Sequence, residues 1–255
     1  MGKDFYLAEN HQVIKVAIAI PNNGYTQVES YENRLQNMLH LGILQERCKQ
    51  ENRPIQYEFS FFVQGRLYTP LAREEAAKHA LNANCDYLLF IDDDMICPHD
   101  MFEKMIAHDV DIVGALAFTR NPPHKAVMYS CVDGYDSLTR TNYFINHYVL
   151  NYPKGKLVEC DAIGFGCVLI KMNVFKTIPQ PWFALCSNSG EDITFCYEAK
   201  KHGFRVFMDT ALPVGHLGNP ICVTEDYARN YWKTAGLEYE KTAGLYKKYE
   251  EKSTT

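Results

Sequence analysis

Asp86-Tyr87-Leu88-Leu89-Phe90-Ile91-Asp92-Asp93-Asp94 contains an unbroken apolar run, Tyr87 to Ile91, that ends in three consecutive carboxylates. A run of that length, continuous rather than alternating, predicts a strand buried on both faces, as at the centre of a parallel sheet. In open α/β sheets, ligands collect beyond the carboxyl ends of the strands. Adjacent carboxylates repel one another where such a strand surfaces, and a divalent cation or cationic ligand offsets that repulsion. The stretch therefore predicts a metal site as well as a central strand. An acidic turn ahead of a helix at Pro98 is the plainer alternative, because surface charges are usually just solvated.

Upstream, Lys15-Val16-Ala17-Ile18-Ala19-Ile20 is a second continuous run, and it stops at the turn-rich Pro21-Asn22-Asn23-Gly24-Tyr25. This predicts a first strand with a ligand-side loop. Leu35, Met38, Leu39, Gly42 and Ile43 recur at helical spacing, so the segment from Ser30 to about Gln50 is expected to lay that stripe on the sheet. Ile55 to Val63 reads as the next strand. Thr69-Pro70 has the form of an N-cap followed by a first-turn proline, and Ala72, Ala76 and Ala80 give that helix a small face for close packing.

Downstream, a short helix from Pro98 to His108 and a buried strand from Ile112 to Phe118 continue the alternation, which implies right-handed crossovers and a mainly parallel sheet. From His124 to about Cys160 the segments are shorter, aromatic and β-branched, predicting antiparallel strands. There Tyr135, Tyr143, Phe144, Tyr148 and Tyr152, with Trp182 beyond, are either core or stacking partners for a sugar or a base. Gly164-Phe165-Gly166 precedes the strand Cys167 to Ile170 but lacks the third glycine of a dinucleotide fingerprint. Ser189-Gly190-Glu191-Asp192 opens a helix closed by Lys200-Lys201-His202-Gly203, and Ser189-x-x-Asp192 also has the form of a capping box. Phe204 to Met208 reads as a short strand, followed by a loop, Asp209 to Pro220, carrying His216.

The 255 residues suit one large α/β domain, taken as residues 1–223, with a C-terminal helical extension over 224–255. A net charge of −5 gives no global drive toward nucleic acid or an anionic membrane. No apolar run approaches the roughly 18 residues of a spanning helix, and Met1-Gly2-Lys3-Asp4 lacks a signal-peptide core, so the expected location is cytoplasmic. Nine cysteines without a Cys-x-x-Cys pair read as reduced thiols, with Cys85, Cys97, Cys167 and Cys196 among apolar neighbours. The absence of Gly-x-x-x-x-Gly-Lys-Ser/Thr disfavours a P-loop kinase or ATPase.

Three features stand in order along the chain: the buried strand ending Asp92-Asp93-Asp94, Gly190-Glu191-Asp192 with Ile193-Thr194-Phe195 at a helix start, and Gly215-His216-Leu217-Gly218 late in the chain. From about Lys15 to Gly218 the sequence resembles the GT-A glycosyltransferases, specifically small family-2-like enzymes of bacteria and their phages. The resemblance implies a Rossmann-like α/β fold and a nucleotide-diphosphate sugar as donor, a UDP-sugar foremost, with Mn²⁺ or Mg²⁺ as cofactor. It places Asp92, Asp94 and His216 at the metal, with Asp94 and His216 as direct ligands and Asp92 touching ribose or metal-bound water. Donor contacts are implied for Pro21, Asn22, Asn23, Gly24, Gln64, Arg66, Arg73, Asp92 and Asp93. Gln64-Gly65-Arg66 stands where an acidic residue often reads uracil, and Arg66 and Arg73 are candidates for the diphosphate. Asp192 is implied as the general base of an inverting transfer, with Glu191 orienting the acceptor.

The chemistry agrees with the resemblance: a diphosphate leaving group develops negative charge that a divalent cation neutralises, and oxygen ligands with one imidazole suit Mn²⁺ or Mg²⁺. A sugar-phosphate nucleotidyltransferase is the competing enzyme class, although Pro21-Asn22-Asn23-Gly24 lacks the basic residue of its loop. A non-catalytic nucleotide-sugar binding module is the competing non-enzyme. The acceptor is open between a saccharide, a lipid-linked sugar, a protein side chain and a modified nucleic-acid base, and a homo-oligomer is a further option.

Overall fold

In the computed structural model, which describes residues 11–22, 26–65, 67–138, 140–186, 189–218 and 222–234, the acidic run occupies the predicted place. After β1 (Gln12–Asn22), α1 (Val28–Gln50), β2 (Ile55–Gly65) and α2 (Thr69–Asn82), the apolar run forms β3 (Tyr87–Ile91), and the three aspartates follow its carboxyl end. After it come β4 (Met95–Ile96), α3 (Met101–Ile106), β5 (Ile112–Leu116), β6 (Met128–Asp136), β7 (Thr141–Tyr148), β8 (Leu157–Cys160) and β9 (Ala162–Ile163). The chain then forms β10 (Cys167–Lys171), α4 (Met172–Thr177), α5 (Glu191–Lys201), β11 (Val206–Pro213), β12 (Gly215–Leu217), β13 (Cys222–Val223) and α6 (Glu225–Thr234).

Seven strands form the central sheet in the order β2-β1-β3-β10-β5-β11-β8, and five of the seven run the same way, with β10 and β8 reversed. The run is continuous in sequence because β3 feeds two cores. Leu88 and Phe90 join Ala76, Ala80, Phe175 and Phe195 from α2, α4 and α5. Leu89 and Ile91 join Leu41, Leu44, Met101 and Phe102 from α1 and α3 on the other face. The small face of α2 is used as expected, Ala72, Ala76 and Ala80 all being buried. Small antiparallel sheets, β7-β6-β9 and β13-β12-β4, complete the α/β architecture.

Of the buried runs at Lys15, Tyr87 and Ile112, read as strands of a mainly parallel sheet, the first two are adjacent as β1 and β3, but β5 does not adjoin β3. Antiparallel β10 lies between β3 and β5, hydrogen-bonded to both. Tyr68, not Thr69, stands at the N-cap of α2. Among the residues flagged for stacking, Phe144, Tyr152 and Trp182 are core, whereas Tyr135 and Tyr143 are exposed on the β6–β7 hairpin. All nine cysteines are free thiols. No helix among the described residues is long and apolar enough to cross a membrane.

The largest departure concerns α1. Leu35, Leu39 and Ile43, expected on the sheet, face solvent, and the buried positions are Ser30, Arg34, Asn37, Leu41, Leu44 and Cys48. The reason lies in the chain that leaves β3. Asp93 and Cys97 flank β4 outside its paired residues, and their backbone polar groups need partners from elsewhere. The N-terminal half of α1 provides them: Ser30 Oγ donates to the Asp93 carbonyl (2.6 Å), while Asn33 donates to the Cys97 carbonyl (2.9 Å) and accepts from the Cys97 N–H (2.8 Å). Polar residues therefore turn inward and the apolar stripe turns out.

Leu41 is 1% exposed and Leu35 is 50% exposed. In urea denaturation, Leu41→Ala is expected to cost about 2–5 kcal/mol and Leu35→Ala no more than about 0.5 kcal/mol. Equal losses at the two positions would restore the orientation read from periodicity.

Candidate active site

Because β1 and β3 are parallel, their carboxyl ends open on one edge. Pro21, Asn22, Asp92, Asp93 and Asp94 meet there, with Leu67, Thr69 and Arg120, around a cavity of about 150 Å³. Gln64 pairs with Pro21 in the β1–β2 register but does not line this cavity. Asn23, Gly24 and Arg66 lie outside the described residues.

His216 reaches the acidic end by strand pairing rather than from a loop. Of the expected loop Asp209 to Pro220, the part through Leu217 is instead the end of β11 followed by β12, while Asn219 and Pro220 lie outside the described residues, and β12 pairs with β4 so that His216 stands opposite Met95. The Leu217 N–H donates to the Asp94 carbonyl at 2.8 Å. Gly215 permits the approach: a Cβ there would sit 2.7 Å from Cys222 Sγ and 3.2 Å from Ile96 Cβ.

His216 Nδ1 is 2.7 Å from the Phe118 carbonyl, which only accepts, so Nδ1 carries the proton. In the neutral ring Nε2 then presents a lone pair, 3.3 Å from Asp94 Oδ2. Two lone-pair atoms held face to face require a cation between them, either a proton on the imidazole or a metal. Burial alone would raise the Asp94 pKa, but the hydrogen bond and charge of His216 and the charge of Arg120 outweigh it, so Asp94 is held below the ordinary carboxylate range. Among the described residues, no group of three or more His, Cys, Asp or Glu side chains converges to hold a metal. Two protein ligands suit an ion such as Mg²⁺ that completes its shell with water and substrate phosphates.

Beneath the cavity lies Arg73, whose side chain is 3% exposed. Its Nη2 donates to both oxygens of Asp92 (2.8 and 3.0 Å), its Nε donates to Glu191 Oε1 (3.2 Å) and its Nη1 to the Phe165 carbonyl (3.3 Å). The guanidinium also stands over the Phe90 and Phe165 rings. Expected at the diphosphate, Arg73 is in place a buried tie between the end of β3 and the start of α5. Asp92, expected on the metal side, has both oxygens on Arg73. Burial pushes the Asp92 carboxyl up to about 6 against the pull of Arg73.

Asp192 lies in the first turn of α5, whose N-cap is Gly190. The capping box does not form: Ser189 Oγ accepts from Asn146, and Asp192 Oδ1 accepts the neighbouring Ile193 N–H at 2.8 Å. Burial, reinforced by the like charge of Glu191, raises the Asp192 carboxyl to about 6. Gly190 makes room for this carboxylate, since a Cβ there would stand 2.8 Å from Asp192 Oδ1.

Sequence reading missed Arg120. Its Nη1 is 3.1 Å from Asp94 Oδ2, its side chain is 56% exposed, and it lines both the 150 Å³ cavity and a larger one of about 470 Å³ bounded by Gln27, His124, Gly218 and Tyr227. It follows closely on the carboxyl end of β5, so the rule that singled out Asp92 applies to it equally.

No known family model and no curated protein matches the chain. Among solved structures it is similar to A197 from STIV, with a TM-score of 0.56 at 18% identity over 84% of this chain and 92% of that one. More distant likenesses are GalNAc-T7 with UDP, GalNAc and Mn²⁺ (TM-score 0.42, 13% identity, 82% of this chain and 44% of that one) and 4-diphosphocytidyl-2C-methyl-D-erythritolsynthase from Anaerococcus prevotii (0.41, 12%, 76% and 86%). The likeness to A197 from STIV is one of fold and agrees with the α/β architecture described above.

Removing Arg73 leaves two carboxylates facing each other without their cation. Arg73→Met is expected to destabilise the fold by about 3–5 kcal/mol in chemical denaturation, and adding Glu191→Gln should recover part of the loss. A single mutant as stable as the parent would show that the tie carries no energy.

Proposed function

We propose that the protein is a metal-dependent glycosyltransferase that moves a sugar from a nucleotide-diphosphate sugar to an acceptor hydroxyl. The observation that carries this reading is the Asp94–His216 pair, two ligand atoms 3.3 Å apart with the imidazole proton directed away from them. Mn²⁺ or Mg²⁺ bound there supplies charge neutralisation for the departing diphosphate. Pro21, Asn22 and Thr69 wall the adjoining cavity for the nucleoside, with Asn23, Gly24 and Arg66 retained as donor contacts on sequence grounds.

On the acceptor side Asp192 is the general base. Its raised pKa brings proton affinity toward the working pH, which improves a base that must accept a hydroxyl proton. Glu191 stays on Arg73 and contributes the like charge that keeps Asp192 basic.

Titrating UDP against the protein by calorimetry, with and without Mn²⁺, tests the donor half. Asp94→Asn and His216→Ala should each weaken Mn²⁺ and UDP binding together, at least tenfold, while the circular dichroism spectrum is unchanged. UDP binding that is indifferent to EDTA would exclude the metal.

Asp192→Asn tests the acceptor half. Turnover should fall by roughly a hundredfold or more with Mn²⁺ and UDP affinities preserved, and wild-type turnover should decline as pH drops through about 6. A carboxyl whose pKa is raised by folding binds its proton more tightly in the folded state. Its ionised form therefore destabilises the fold above about 6, and the effect disappears below the unfolded value of about 3.9. Asp192→Asn is accordingly expected to raise Tm at pH 7.5, with the gain vanishing near pH 4. Unchanged turnover and unchanged Tm would reduce Asp192 to a helix-end residue.

A further inference from the structure

Two nitrogen-bearing side chains approach Asp94 Oδ2. The His216 imidazole is anchored from behind by the Phe118 carbonyl, whereas the Arg120 guanidinium, 3.1 Å away, belongs to a largely exposed side chain. Arg120 stands between two cavities, with the acidic strand end and Pro21 on one side and Gln27, His124, Gly218 and Tyr227 on the other. It therefore has room to move without leaving the cleft. The smaller cavity, at about 150 Å³, reaches the roughly 300–1,000 Å³ of small-molecule sites only together with the larger one of about 470 Å³, and Arg120 lines both.

Arg73, expected at the diphosphate, is spent on Asp92 and Glu191, so it has no fork to offer a ligand. Arg120 does: its charged partner among the described residues is Asp94, and that contact uses Nη1. Asp94 and His216 would hold a divalent ion in competition with Arg120 for Asp94 Oδ2, because two cations cannot share that oxygen without repulsion. The displaced guanidinium then requires an anion, and phosphate oxygens match its planar donors.

We propose that Arg120 is a phosphate ligand of the donor and that its ion pair with Asp94 is a resting contact, exchanged on loading: the metal takes Asp94 Oδ2 and the guanidinium takes the diphosphate. The inference deepens the glycosyltransferase reading and rests on the metal site assigned there. It assigns Arg120 opposite effects on two ligands. As a competitor for Asp94 it weakens binding of the metal alone, and as a phosphate ligand it strengthens binding of the diphosphate. A side chain with a purely structural role moves both affinities in one direction or neither.

The test is Mn²⁺ binding followed by electron paramagnetic resonance, with UDP and inorganic pyrophosphate each titrated at saturating Mn²⁺, on the full chain and on Arg120→Ala. Arg120→Ala is expected to bind Mn²⁺ alone severalfold more tightly, the scale of an exposed ion pair, and both UDP and pyrophosphate about tenfold more weakly. Arg120→Lys should regain part of the diphosphate affinity. Weaker Mn²⁺ binding in Arg120→Ala, or unchanged UDP and pyrophosphate binding, overturns the proposal while leaving the metal site standing. Failure of both proteins to bind Mn²⁺ overturns the metal site and the exchange together. Because Arg120 is largely exposed, Arg120→Ala is expected to keep the parent Tm, and a lowered Tm would show a structural role instead.

Discussion

A guanidinium removed from water must be met by charges and acceptors within the protein, and the surroundings of Arg73 are arranged to do so. The penalty for burying it is several kcal/mol in proteins generally, and it is offset by Asp92 at the end of β3, Glu191 at the start of α5, the Phe165 carbonyl and two aromatic faces. Each partner belongs to a different part of the chain. Satisfying one side chain therefore fixes where the acidic strand end, the β9–β10 turn and the Asp192 helix stand relative to one another.

The same tie concentrates negative charge. Asp94 and Glu191 each add like charge beside the Asp92 carboxyl, Glu191 does the same for Asp192, and Arg73 offsets this only in part. Asp92 and Asp192 both end with raised pKa values, whereas Asp94, with His216 and Arg120 beside it, ends with a lowered one. Neighbouring carboxylates whose environments push their proton affinities apart are a recurrent pattern where one group serves as base and another as ligand. For Asp192 a raised pKa means that the ionised carboxylate disfavours the folded state above about 6.

Much of this was legible because it is local. An apolar run broken by three aspartates is a pattern in nine consecutive residues, and the helix start at Glu191 is visible in its neighbours. What escaped reading was set by partners distant in sequence. The outward face of α1 follows from the hydrogen-bonding needs of Asp93 and Cys97, more than sixty residues away. His216 lies on a strand because β4 offers an edge to pair with, and β10 enters between β3 and β5 against the parallel alternation. Arg73 reads from sequence as a diphosphate candidate, since nothing near it in sequence reveals that Glu191 closes over it.

Metal binding depends on one place, the gap between Asp94 Oδ2 and His216 Nε2. Crystals grown with Mn²⁺ and UDP, measured at the manganese absorption edge, examine it directly. The account predicts an anomalous peak in that gap, bonded to both side chains and to diphosphate oxygens, with Asp92 still on Arg73. UDP bound in the cleft with no anomalous peak at Asp94 and His216, or manganese bound elsewhere on the chain, would contradict it.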